Sequence, residues 1–147
     1  MAKELPFIYV VYIRTTPERL WEALTNPEFT RQYWGGLSTV SDWKKGATWQ
    51  LVARDENDDI YVVGEVLERV PPKRLVLTWA DPDDTADRSR VTFEIEPIGE
   101  MVRLNVIHGD FTAGSDMKGK ISGGWPRVLS SLKSYLETGM AFDIKCH

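Results

Sequence analysis

The sequence predicts an α+β domain: a curved antiparallel sheet of about six to seven strands around one long C-terminal helix, with two short helices after the first strand. Three observations carry that prediction. Between Leu37 and His108 the apolar residues recur with period two in one segment after another, the mark of strands buried on one face. Two helix-start signals stand directly behind the first strand, at Thr16-Pro17 and Asn26-Pro27. A single apolar stripe of helical spacing then runs from Ile121 to Leu136 near the end of the chain.

Phe7 to Arg14 is a β-branched and aromatic run and reads as a strand. Thr16 is placed to cap the helix that follows, with Pro17 at its first position and Glu18 and Glu22 toward its positive end. Leu20, Trp21 and Leu24 fall on one face of it, and Trp21 with Leu24 is expected to anchor it to the sheet. Asn26-Pro27 stops this helix and starts another, with Phe29, Tyr33 and Trp34 on its apolar side and Gly35-Gly36 at its end. Leu37–Val40 and Ala47–Ala53 read as strands around a Lys44-Lys45-Gly46 turn, and Arg54 to Asp59 as a polar turn. Ile60–Val70 is a strand, Pro71-Pro72-Lys73 a turn, and Leu75–Trp79 a strand with Leu75, Leu77 and Trp79 on one face.

Asp81 to Arg90 reads as a polar, aspartate-rich loop. Val91, Phe93 and Ile95 then alternate with Thr92, Glu94 and Glu96, and after a turn at Pro97–Glu100 the same holds for Val102, Leu104, Val106 and His108 against Arg103 and Asn105. In the final helix Trp125, Val128, Leu129, Leu132 and Tyr135 continue the stripe, and Gly139 is the expected C-cap. Pro126 lies inside the pattern, which predicts a late start or a kink near Ser122. Gly123-Gly124 are expected to let the helix approach the sheet closely. No linker or repeat divides residues 1–147, so one domain is expected.

Composition removes several function classes. A net charge of −4, from 22 acidic and 18 basic residues, does not fit a nucleic-acid partner, which requires a basic surface. No apolar run approaches the roughly 20 residues of a membrane span, and the first residues lack a signal-peptide core. With one cysteine, Cys146, a cytoplasmic protein is expected. No metal or other cofactor is expected: His108, the terminal His147 and Cys146 do not form a zinc set. Asp81, Asp83, Asp84 and Asp87 lack the glycine and terminal glutamate of a calcium loop. Neither glycine pair leads into the Lys-Ser/Thr of a phosphate loop, and no nucleophile elbow is present.

Six Trp and five Tyr are the unusual feature, suited either to a large aromatic core or to a lined pocket. The stretch Ile13-Arg14-Thr15-Thr16-Pro17-Glu18-Arg19-Leu20-Trp21-Glu22-Ala23-Leu24-Thr25 resembles the opening of bacterial proteins similar to the C-terminal domain of the heat-shock-protein-90 ATPase activator. So do Tyr33-Trp34-Gly35-Gly36, Ser41-Asp42-Trp43, Gly64-Glu65-Val66, Pro71-Pro72 with Leu75 and Thr78-Trp79, and Gly123-Gly124-Trp125-Pro126. The resemblance spans about residue 7 to about residue 140 and implies the helix-grip fold of the START and birch-pollen-allergen-like superfamily. It further implies a cavity between sheet and helix for a small hydrophobic or aromatic ligand, lipids included, with a link to stress responses in some relatives.

On that fold the expected ligand-facing residues are Phe29, Tyr33 and Trp34 at the mouth, Trp79, Phe93 and His108 from the sheet, and Trp125 and Leu129 from the helix. The expected function is non-enzymatic binding. The alternative is a cyclase- or hydrolase-like enzyme in which His108, with Tyr33, supplies acid–base chemistry. His108 can equally be a core histidine satisfied by a neighbour. A third reading is a chaperone-associated interaction module, which needs an exposed apolar face; the outward residues Thr92, Glu94, Glu96, Arg103 and Asn105 are polar and weigh against it. A homodimer through an edge strand is compatible with the pattern.

Overall fold

In the computed structural model the chain is described for residues 4–53 and 59–144. The turn read at Arg54–Asp59 lies, except for Asp59, outside these residues, as do Cys146 and His147. Strand β1 (Phe7–Ile13) leads to helices α1 (Pro17–Thr25) and α2 (Pro27–Tyr33). Six strands follow: β2 (Leu37–Ser41), β3 (Thr48–Ala53), β4 (Ile60–Val70), β5 (Arg74–Asp81), β6 (Asp84–Ile98) and β7 (Met101–Gly109). Helix α3 (Met117–Thr138) completes the fold. All strand pairs are antiparallel, and the sheet order is β1-β7-β6-β5-β4-β3-β2. The first strand thus crosses over to pair with the last, which curls the sheet around α3.

The helix starts form as the local chemistry dictates. Thr16 accepts a bond from Arg19 N at 3.2 Å, and Asn26 ends α1 while its side chain caps α2 through Glu28 N at 2.9 Å. Gly139 closes α3 in the left-handed region at φ 83°. Pro126 does not delay α3, which begins at Met117, nine residues earlier. Leu20, Ala23 and Leu24 are the buried residues of α1, while Trp21 is only half-buried and receives the Arg69 guanidinium over its ring.

Two expectations are corrected. Asp81–Arg90 is not a loop: β5 and β6 continue through it as a hairpin, paired to Asp81↔Asp84. This extension projects past the core, so its residues are mostly exposed and carry no apolar alternation. Gly123 and Gly124 do not mark close approach, because a Cβ at either would meet nothing within 4 Å. The close approach is at Gly64, where a Cβ would lie 2.0 Å from Thr78 O and 2.4 Å from Trp49 Nε1. That missing Cβ lets the Trp49 indole cross β4 and donate to Thr78 O at 2.7 Å.

The two sheet edges differ. The β2 edge is covered by α2: Thr39 N donates to Thr30 Oγ1 at 2.9 Å and Ser38 Oγ to Pro27 O at 3.1 Å. The β1 edge lies beside α3, whose Lys133 Nζ reaches Tyr12 O at 2.6 Å and whose Glu137 Oε2 accepts from Arg14 N, just past the strand, at 2.8 Å. The convex face of β1 is apolar, contrary to the polar convex face expected from β6 and β7. Ile8, Val10 and Tyr12 are 58%, 45% and 42% exposed. Strands β4 to β7 carry cross-strand ion pairs instead, Arg74 with Glu68 and Glu94, and Arg103 with Glu96.

Candidate functional site: an aromatic cavity between sheet and helix

The concave face of the sheet and the inner face of α3 meet in a cluster of tryptophans. Trp34, from the end of α2, lies 6.4 Å from Trp79 of β5 and 5.5 Å from Trp125 of α3, centroid to centroid. Trp79 and Trp125 are 5.5 Å apart, and Trp49 of β3 is 5.6 Å from Trp79. These are distances at which aromatic rings attract beyond the area they bury. They arise because β3 and β5 place every second side chain inward, while α2 stops at Gly35 and turns Trp34 in with them.

Beside this cluster is a cavity of about 200 Å³. Trp34, Trp79 and Trp125 stand in its wall. Leu37, Leu51, Tyr61 and Val62 complete the sheet side, and Lys120, Ile121, Gly124 and Val128 the helix side. Of the eight residues expected to face a ligand, three are therefore in this wall. The other five are placed elsewhere, for identifiable reasons. Phe29 and Tyr33 pack on Tyr135 at 6.1 and 6.4 Å, in the C-terminal half of α3, whereas the cavity lies against its N-terminal half. The Tyr33 hydroxyl is buried and donates to Ala23 O at 2.9 Å. Burial, reinforced by Tyr135, holds its pKa far above the usual tyrosine value. Phe93 sits behind Trp125, edge-on at 5.8 Å. Leu129 is one residue past Val128, rotated away by about 100° of helix.

His108 is fully buried and fully engaged. Its Nδ1 accepts the indole proton of Trp125 at 3.0 Å, and Nε2 lies 2.7 Å from Ser89 Oγ. An indole N–H only donates, so the imidazole proton resides on Nε2 and is given to Ser89. That is the wrong tautomer for a base toward Ser89, because the free lone pair faces Trp125. Desolvation also lowers the His108 pKa to about 3, so the ring is neutral at physiological pH. The ring has Phe111 stacked at 5.4 Å and Trp79 edge-on at 5.2 Å. Geometrically this is a polar rivet joining β6, β7 and α3.

Sequence reasoning missed eight wall residues. Ile121 and Val128 were findable, since they lie four before and three after Trp125 on the same helical stripe. Leu37, Leu51 and Val62 are inward apolar strand positions like many others, and only tertiary placement selects them. Tyr61 and Lys120 carried no such signal, and Gly124 reads in the sequence as a packing glycine. Among the described residues, no three His, Cys, Asp or Glu are grouped to hold a metal ion. Among the described residues no helix is long and apolar enough to cross a membrane.

The family model described as Activator of Hsp90 ATPase homolog 1-like protein matches residues 14–137. The chain belongs to this family. Solved structures agree with the assignment at the level of fold. A Staphylococcus saprophyticus protein superposes with a TM-score of 0.76 at 21% identity, over 96% of this chain and 98% of its own. An HSP90 activator from Plasmodium falciparum gives 0.75 at 21% identity, over 90% and 96%. The Aha1 dimer from Colwellia psychrerythraea, a solution structure, gives 0.74 at 20% identity, over 92% and 98%. A search of curated protein sequences finds no match.

Proposed function

We propose that this family member binds a small apolar or aromatic molecule in the cavity between sheet and α3, without transforming it. The observation that carries the reading is the wall itself: three tryptophan rings and five aliphatic side chains around about 200 Å³. An engineered apolar cavity of about 150 Å³ holds benzene, so a body of one or two fused rings matches this space. The acid–base alternative has little support, since His108 is neutral, wrongly protonated for a base, and walled off by Trp125 and Phe111. The test is a methyl NMR titration with small aromatic compounds. Binding at the site shifts the methyls of Leu51, Val62, Ile121 and Val128 and not those of Leu20 or Val102; a panel that shifts none of the four refutes it.

A second reading concerns assembly. The apolar row Ile8-Val10-Tyr12 lies on the edge strand β1, which contains no charged residue. Such an edge ordinarily carries a lysine, a proline or a cover, and here α3 reaches it through Lys133 at Tyr12 O while the convex side chains Ile8, Val10 and Tyr12 stay exposed. The strand is suited to pair antiparallel with a second copy across a two-fold axis near Val10, and a relative of this fold is a dimer in solution. Light scattering on the purified protein would show a dimer that Val10→Lys converts to a monomer; a wild-type monomer at high concentration rules this out.

A further inference from the structure

Among the described residues, the cavity wall carries one charged side chain, Lys120. Its position follows from the helix. Lys120, Gly124 and Val128 are spaced by four and form one column of α3, beside Ile121 and Trp125. Val128, Ile121 and Trp125 are buried, whereas Lys120 is 72% exposed and Gly124 is half-buried. Solvent therefore reaches the cavity from the Lys120 end of the column. At Gly124 the wall has a notch, since a Cβ added there would meet nothing within 4 Å. The notch opens one helical turn from the ammonium group.

That ammonium group is weakly committed. Its ion pair is with Asp116 at 3.6 Å, and both side chains are largely exposed. Pairs of this kind contribute little and exchange readily with other anions. The opening thus combines a deep apolar chamber, a gap wide enough for a substituent, and a cation at the rim.

We infer that the ligand is a small aromatic monoanion, its ring among Trp34, Trp79 and Trp125 and its carboxylate passing the Gly124 notch to Lys120. The inference rests on reading the cavity as a ligand site, and it adds the charge and orientation of what enters. The ring supplies most of the affinity through burial; the carboxylate fixes which end stays out and gains a charge-assisted contact at the rim.

Isothermal titration calorimetry of the full chain with indole and with indole-3-acetate separates the two claims. The acid is expected to bind about two- to five-fold more tightly than indole at low salt, as suits a contact to an exposed ammonium. That ratio falls as salt is raised. It drops to about one in Lys120→Met and is kept in Lys118→Met, a neighbour outside the cavity wall. Equal binding of the two probes to the wild type, or a ratio that survives Lys120→Met, overturns the anion inference and leaves the cavity reading intact. If neither probe binds, both are overturned.

Discussion

The protonation of His108 offers a sharp test of how the site is built. Its folded pKa is about 3, against 6.5 for an unperturbed imidazole. Because the folded value is the lower one, the unfolded chain takes up the proton first as the pH falls. The stabilisation is complete above pH 6.5 and is lost as the pH falls toward 3. Between pH 7.5 and pH 5 most carboxylates remain ionised, so the change in that window reports largely on His108. Linkage over that interval gives a loss of about 2 kcal/mol. With a urea m-value of about 2 kcal/mol/M, the midpoint moves down by about 1 M. His108→Gln keeps an acceptor for the Trp125 indole and a donor for Ser89 but cannot titrate. It should be less stable than the wild type at pH 7.5, with the gap shrinking by about 2 kcal/mol at pH 5. Urea denaturation at the two pH values measures this directly. Midpoints that fall in parallel for the two proteins would show that His108 is not held neutral by burial. Nitrogen NMR of the ring supplies an independent check, with the proton expected on Nε2 throughout.

Three further outcomes follow from the same geometry. Gly64→Ala forces a methyl against Thr78 O and displaces the Trp49 indole; overpacking plus a lost hydrogen bond should cost about 3 kcal/mol and lower the melting temperature by about 10 °C. Calorimetry showing a change under about 1 kcal/mol would contradict the contact. Gly123→Ala has open space and a helical backbone, so it should raise stability by about 0.5–1 kcal/mol in the same experiment. Thr16→Ala removes the α1 cap and should cost about 1 kcal/mol in chemical denaturation, with cavity binding measured by titration unaltered.

How much of this was legible in the chain depends on where local rules and tertiary contacts agree. Thr16, Asn26 and Gly139 cap helices through bonds to residues within four positions, so their chemistry is local and readable. The alternation from Val102 to His108 placed the histidine inward correctly, because side-chain parity is also local. What His108 does there was not readable, since its partners Ser89 and Trp125 are 19 and 17 residues away. Ser89 lay in the stretch taken for a loop, where strand pairing extends beyond the core and leaves no hydrophobic pattern to detect. Likewise the aromatic excess pointed to tryptophans around a cavity, yet which ones reach it depends on the half of α3 that each element meets. Gly124 illustrates the limit: its helical neighbours mark it as packing, while the space beside it makes it part of an opening.

The tryptophan cluster has one more consequence. Trp34, Trp49, Trp79 and Trp125 form a connected chain of rings, each within 6.4 Å of the next. Indoles this close couple their electronic transitions and pass excitation among themselves before emitting. The cluster is therefore expected to show a paired exciton signature in its circular dichroism. A guest bound as proposed, touching any one ring, would alter the shared emission and so give the titrations above a label-free readout.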